Sequence, residues 1–91
     1  MNYIVELTNA ADKQLEKLDQ KQQDRKNDTL LDLCEFYDGS SNKKPDIKPL
    51  TGKYNGLLRL RVGSYRVIFQ LKGGQFLVLV IQIVRSGDAY R

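Results

Sequence analysis

The sequence predicts a single α+β domain in which a two-helix hairpin packs on a mostly antiparallel four-stranded sheet, in the order β-α-α-β-β-β. Two observations predict this fold class. Apolar residues repeat at helical spacing only in the first half of the chain, and strand-like segments separated by short glycine-containing turns fill the second half. The length of 91 residues allows one domain, residues 1–91, with one hydrophobic core.

The first half of the chain supplies one strand and both helices. Residues 2–7 (NYIVEL) include β-branched and aromatic side chains, which favour a short strand. Thr8 or Asn9 then provides an N-cap for a helix predicted to end near Asp19. A second helix is predicted over residues 22–37. The apolar faces consist of Ala11, Leu15 and Leu18 in the first helix and of Leu30, Leu31, Leu33, Cys34 and Tyr37 in the second.

The second half of the chain supplies the other three strands. Residues 38–49 contain turn-forming residues and both prolines of the chain, which predicts a loop. Strands are predicted over residues 57–62, 65–71 and 75–84. The last of these is almost continuously apolar, so we expect it to lie inside the sheet with both faces covered.

Several residue types are missing, and their absence excludes whole classes of site. The chain has no histidine and one cysteine, Cys34, which excludes an internal disulfide, a Cys/His zinc site and histidine-dependent catalysis. We therefore expect no metal and no cofactor, and acid–base chemistry limited to Tyr, Lys, Arg or carboxylates. The longest apolar run, Phe76–Val84, is about half as long as a membrane helix. No leader-like segment is present, so we expect a cytoplasmic protein without membrane contact.

Positive charge is concentrated in the second half of the chain. Residues 1–46 hold ten acidic and seven basic side chains, whereas residues 47–91 hold eight basic side chains and one acidic side chain. Their net charges of −3 and +7 sum to the overall +4. Five of the eight basic residues are arginines, which suit bidentate phosphate contacts. This predicts contact with nucleic acid or phosphate, the alternative being a solubilising basic surface.

Three of these arginines are predicted to share one face of the sheet. The alternation in residues 57–62 (LLRLRV) places Arg59 and Arg61 on the same face. If the following hairpin closes at Gly63-Ser64, Arg66 comes near Arg61 across the strands. Neighbouring guanidinium groups repel each other unless an anion or solvent lies over them, so this face is either a phosphate site or an ordinary solvated surface.

The C-terminal segment supplies a second candidate group. Gly87 permits a sharp bend that could return Tyr90 over the arginines. Nearby cations would favour the phenolate form of that side chain. A surface tyrosine at a frayed terminus is the alternative.

A longer segment carries a family resemblance. Residues 48–71 (KPLTGKYNGLLRLRVGSYRVIFQL) closely resemble the signature segment of the RelE family of bacterial type II toxins, in the RelE/ParE superfamily, and the tail IVRSGDAYR is similar to the family's closing motif. The resemblance extends over essentially the whole chain. It implies a metal-independent, ribosome-dependent mRNA endonuclease, or mRNA interferase, that contacts mRNA and 16S rRNA and is inhibited by a cognate antitoxin protein.

The resemblance also implies roles for individual residues. Arg66 corresponds to the arginine that contacts the scissile phosphate, and Tyr90 to the tyrosine proposed as general base. Arg85 approximates the basic residue of the tail. The implied catalytic set is Arg66, Tyr90, Arg85 and Arg59, and the implied substrate-binding set is Arg61, Lys53 and Lys48.

Two other functions remain open on the same fold. A ParE-like poison of DNA gyrase needs a binding surface but no poised base. A catalytically inactive homologue would act with its antitoxin as a transcriptional co-repressor.

Overall fold

The computed structural model describes residues 3–42 and 44–85, which form two α-helices and five strands. In chain order these are β1 (Ile4–Leu7), α1 (Asn9–Glu16), α2 (Gln20–Asp38), β2 (Ile47–Pro49), β3 (Leu58–Val62), β4 (Tyr65–Lys72) and β5 (Leu77–Arg85). Short 3-10 turns precede β3 and β5, at Gly52–Tyr54 and Gly73–Gln75. Within the described ranges, no helix is long and apolar enough to cross a membrane.

The strands form one mixed sheet in the order β1-β5-β4-β3-β2. β1 runs parallel to β5, and the other neighbouring pairs are antiparallel. The predicted α+β class is confirmed, with five strands in place of the predicted four. The added strand is β2, which pairs with β3 inside the segment predicted as a loop. The sequence did not predict this strand because it ends in Pro49, and proline is tolerated in a strand only at the edge of a sheet.

Side-chain caps fix where the two helices begin. The Thr8 hydroxyl accepts a hydrogen bond from the backbone N–H of Ala11 (3.2 Å) and donates to the carbonyl of Ile81 (2.8 Å), which ties the start of α1 to β5. The Asp19 carboxylate accepts from the N–H of Gln22 (2.9 Å). Because Asp19 caps α2, α1 ends three residues before the predicted boundary and α2 starts two residues earlier than predicted.

Both helices pack on the same face of the sheet, and the hydrophobic core lies between the helices and that face. β5 lies inside the sheet, between β1 and β4, as its apolar sequence predicts. The prediction that both of its faces are covered is wrong, because both helices pack on the same side of the sheet. Leu77 is buried, and Leu79 and Ile81 are partly buried. The core consists of Ala11, Leu30, Leu33, Cys34, Leu60, Val62, Val67, Phe69, Val78, Val80 and Ile83. Burial raises the pKa of the Cys34 thiol, which suits a packing residue and not a nucleophile.

One charged side chain is completely buried on the helix side. Lys26 of α2 has no exposed surface, and its Nζ lies 3.7 Å from the centroid of the Tyr65 ring. The ammonium also donates a hydrogen bond to the Gln22 side chain (3.1 Å). Burial, and secondarily the charge of Arg25, lower the pKa of Lys26 below its ordinary value. The cation therefore fixes α2 against the start of β4 at a desolvation cost.

Lys26→Met is expected to raise the free energy of unfolding at pH 7 by about 1 kcal/mol, because an apolar side chain avoids burying a charge. The pKa of Lys26 in the folded protein lies below the ordinary 10.5. Just below pH 10.5 the unfolded chain therefore binds more protons than the folded protein, and the free energy of unfolding of the wild type rises as the pH rises. The advantage of the variant should therefore shrink toward that pH. Urea denaturation of both proteins across this pH range measures it, and a variant less stable than the wild type at pH 7 would contradict it.

Candidate phosphate-binding site

The face of the sheet opposite the helices carries the predicted arginines, and we call it the arginine face: Lys48, Arg59, Arg61 and Arg66. In the register of β3 and β4, Arg61 lies directly opposite Arg66. On the other side of β3, Lys48 of β2 lies directly opposite Arg59. Directly opposed residues point to the same side of a sheet, so three strands contribute cations to one surface.

Burial differs sharply among the three arginines. Arg61 is exposed, Arg66 is partly buried, and Arg59 is only 7% exposed. The Arg59 Nη2 forms an ion pair with the Asp46 Oδ1 at 3.1 Å. The Arg59 Nε is buried and has no hydrogen-bond partner among the described residues. Arg61 is therefore the most accessible of the three arginines, and Arg66 exposes part of its side chain.

The electrostatics of this face favour an anion. Like charges directly opposite each other on neighbouring strands destabilise a sheet, and the Arg61–Arg66 pair lies one position from the tight turn that closes the hairpin. Gly63 in that turn adopts a positive φ of 60°, which glycine tolerates. The turn holds the two cations opposite each other, so a phosphate bound between them would relieve their repulsion.

The two predicted lysines lie toward the β2 side of the arginine face. Lys48 is exposed on β2. Lys53 is exposed in the 3-10 turn before β3, with its Nζ 5.3 Å from the centroid of the Tyr54 ring. Lys48 thus belongs to the arginine face, and Lys53 lies in the turn that leads to β3.

The register places Arg85 away from this group. Arg85 lies opposite Tyr65, whereas Arg66 lies opposite Val84, so Arg85 alternates to the helix side of the sheet. It is exposed at the end of β5. The structure therefore brings Arg59, Arg61 and Arg66 together and leaves Arg85 at the end of β5, on the helix side of the sheet. The predicted base, Tyr90, lies outside the described residues.

Sequence reasoning missed two polar residues on this face. The position of Asp46 beside Arg59 depends on the pairing of β2 with β3, so it could not be predicted without that short strand. A β-bulge in β5 determines the position of Gln82. Ile68 pairs with Gln82 and Phe69 pairs with Val80, so Ile81 is an extra residue in β5. The bulge turns Gln82 toward the side of Arg59 and Arg66. An alternation rule applied to a continuously apolar strand could not have located it.

The site has no group suited to holding a metal ion in the part of the chain that the structure describes. Within residues 3–42 and 44–85, no cluster of three or more Cys, Asp or Glu side chains has the geometry for one. The guanidinium groups of the arginine face carry fixed positive charge and planar sets of hydrogen-bond donors. Such an arrangement can bind phosphate oxygens and stabilise negative charge that develops on them.

A comparison with known protein families shows the class to which this chain belongs. The sequence model of the family described as the ParE toxin of type II toxin–antitoxin systems matches residues 5–90 of this chain. The match covers nearly the whole chain, so the chain belongs to this family, within the RelE/ParE superfamily. No curated protein sequence matches it significantly.

Solved toxin–antitoxin structures share the fold. A chain in the RelE–RelB complex of Pyrococcus horikoshii is 26% identical, with a TM-score of 0.73 over 98% of this chain and 100% of that chain. A chain in the RelBE2 complex of Mycobacterium tuberculosis is 22% identical, with a TM-score of 0.68 over 93% of this chain and 99% of that chain. YafQ of E. coli is 14% identical, with a TM-score of 0.67 over 98% and 99% of the two chains.

Proposed function

We propose that this toxin is a ribosome-dependent mRNA endonuclease whose substrate backbone lies across the arginine face. The observation that carries the proposal is the direct opposition of Arg61 and Arg66, with Arg59 on the same open surface. Planar guanidinium groups on directly opposed residues suit contacts with the oxygens of a phosphodiester. The resemblance of residues 48–71 to the RelE signature supports RNA as the polyanion.

The proposed reaction is a transesterification within the RNA. The 2′-oxygen attacks the adjacent phosphorus in line, the bond to the 5′-oxygen breaks, and the products are a 2′,3′-cyclic phosphate and a 5′-hydroxyl. One proton must leave the 2′-hydroxyl and one must reach the leaving oxygen. We assign the first transfer to Tyr90, stabilisation of the phosphorane to Arg66, and assistance to the leaving group to Arg59. The resemblance implies a catalytic role for Arg85 as well, but Arg85 lies on the helix side of the sheet, so we do not place it on the same phosphate.

The remaining cations hold the substrate in place. Arg61, Lys53 and Lys48 are assigned to the flanking RNA backbone, because all three are exposed. Arginine is a weak proton donor at its ordinary pKa, so much of the rate must come from alignment of the scissile bond. A ribosome that holds the mRNA in an extended conformation would supply this alignment.

The opposite surface of the molecule favours this orientation. The exposed carboxylates of α2 lie on the helix side, at Asp24, Asp28, Asp32 and Glu35. The two helices together carry seven acidic and four basic side chains, a net charge of −3, whereas the arginine face carries four basic residues. A polyanion would be repelled by the first side and attracted by the second, which orients the encounter before contact.

A gyrase poison is the second candidate function, because the matching family model is that of the ParE toxin. It requires a binding surface and no proton transfer. Expression of the protein in bacteria separates the two. Rapid arrest of translation with cleaved mRNA supports the endonuclease, whereas DNA damage and cell filamentation with intact mRNA support the gyrase poison.

We further propose that the cognate antitoxin covers an apolar groove between β1 and α2. The groove is lined by Tyr3, Ile4, Val5, Leu7, Asn27, Leu30, Leu31 and Cys34. Ile4 is 57% exposed and Leu31 is 62% exposed, although both are large apolar residues. β1 is an edge strand of the sheet, so an added strand or an amphipathic helix from the antitoxin could dock there. The related RelE–RelB and RelBE2 structures are toxin–antitoxin complexes.

Leu31→Glu is expected to weaken antitoxin binding by about tenfold or more, because it places a charge in the apolar groove. Folding should be unaffected, since the native side chain is largely exposed. Ala10→Glu, at an exposed position of α1, makes a similar change outside the groove and serves as the control. Calorimetric titration with the cognate antitoxin measures both variants. Equal affinities would show that the antitoxin docks elsewhere.

A further inference from the structure

Asp46 connects the two arginines of β3, and nothing in the sequence motifs assigns it a role. Its carboxylate forms the ion pair with the Arg59 Nη2 at 3.1 Å. Its backbone carbonyl accepts a hydrogen bond from the N–H of Arg61 at 3.0 Å. One residue of the segment that leads into β2 thus holds the side chain of Arg59 and the main chain of Arg61.

The burial of the pair is uneven. Arg59 is 7% exposed as a residue, whereas the Asp46 side chain is 53% exposed. A buried guanidinium needs a partner that neutralises it, because an unpaired buried charge is costly. The carboxylate supplies that partner while remaining open to solvent. Among the described residues, it is the ion-pair partner that fixes where the Arg59 guanidinium lies.

The sign of the charge argues against a role in binding RNA. A carboxylate on a face that attracts phosphate reduces that attraction, so Asp46 lowers affinity for a polyanion. Beyond neutralising the buried Arg59, the ion pair fixes the position of that side chain. With Nη2 engaged, rotation of the guanidinium is restricted, and the side chain is preorganised with respect to the neighbouring Arg61 and Arg66.

We propose that Asp46 is a positioning residue that fixes Arg59 for the cleavage step and weakens substrate binding in exchange. This inference rests on the proposed endonuclease function. It makes a distinctive prediction, because loss of Asp46 should change binding and cleavage in opposite directions. A purely structural role would impair both.

The test is Asp46→Asn, which keeps an oxygen acceptor for Arg59 but removes the charge. We expect the single-turnover cleavage rate at saturating programmed ribosomes to fall about tenfold. The half-saturating ribosome concentration should fall about two- to fivefold, because a repulsive exposed charge has been removed. Asp28→Asn, on the exposed side of α2, removes the same charge away from the arginine face and should leave the cleavage rate unchanged.

A double-mutant cycle identifies the residue through which Asp46 acts. In an Arg59→Met background, Asp46→Asn should have no further effect on the cleavage rate. Nuclear magnetic resonance of the arginine side chains gives a readout independent of activity. The Arg59 Nη2–H signals, identified by their absence in Arg59→Met, should show restricted rotation in the wild type and faster rotation in Asp46→Asn.

The outcomes separate this inference from the function on which it rests. If the wild type does not cleave mRNA on ribosomes, the endonuclease proposal fails, whatever Asp46 does. If the wild type cleaves and Asp46→Asn matches it in rate and half-saturation, the positioning role is refuted. Equal impairment of rate and binding, or an undiminished rate effect in the Arg59→Met background, would also overturn it.

Discussion

Arg66→Ala is expected to lower the rate of mRNA cleavage on the ribosome by about a hundred- to a thousandfold, or about 2.7–4 kcal/mol of transition-state stabilisation. The reason is the position of Arg66, directly opposite Arg61 on the open face of the sheet. A guanidinium that contacts the scissile phosphate stabilises charge that grows as the phosphorane forms. Loss of the side chain should therefore reduce the cleavage rate more than it reduces substrate affinity.

Single-turnover cleavage at saturating programmed ribosomes measures this effect, with thermal unfolding as the check on folding. Lys13→Ala provides a matched loss of one positive charge on exposed α1, away from the arginine face. It should retain nearly full activity. A rate for Arg66→Ala within about threefold of the wild type would show that this arginine does not contact the reacting phosphate.

Tyr90→Phe is expected to lower the cleavage rate by about a hundred- to ten-thousandfold, the usual contribution of a general base. The substitution keeps the aromatic ring, so any stacking on a base is preserved while the ionisable hydroxyl is lost. The measurement is the pH dependence of single-turnover cleavage. We expect the wild-type rate to rise with pH as the general base loses its proton, and this rise to be absent in the variant. An unchanged pH profile and rate would remove Tyr90 from the mechanism.

Substitution of the remaining basic residues by alanine is expected to lower the cleavage rate less than these two substitutions do. Intermediate losses are expected for alanine at Arg59 and Arg61. Mild losses are expected at Arg85, which lies on the helix side of the sheet, and at Arg91, which lies beyond the tyrosine of the closing motif. Arg61 is exposed and Arg59 nearly buried, so Arg59→Ala should cost stability in addition to activity.

Local patterns were enough to predict most of the fold. The alternation in β3 and the two-residue turn after it fix which side chains share a face, and the observed opposition of Arg61 and Arg66 follows from them. The continuously apolar β5 indicated a strand inside the sheet, and it lies between β1 and β4. These features depend on residues close together in sequence, where periodicity and turn chemistry are informative.

Features that depend on distant pairing could not be predicted in the same way. β2 exists because Ile47–Pro49 pairs with β3, and three residues that end in proline carry too little strand signal by themselves. The ion pair of Asp46 with Arg59 follows from that pairing. The bulge at Ile81 alters which residues of β5 face the arginines, and a uniform apolar run does not reveal where the register shifts.

The central claim is that this member of the ParE toxin family cleaves mRNA on the ribosome. Purified wild-type protein added to ribosomes programmed with end-labelled mRNA tests it most directly, with DNA gyrase supercoiling measured in parallel. We expect a discrete cut that yields an upstream fragment with a 2′,3′-cyclic phosphate and a downstream fragment with a 5′-hydroxyl, and no effect on supercoiling. Intact mRNA together with inhibited supercoiling would contradict the endonuclease and establish the gyrase poison.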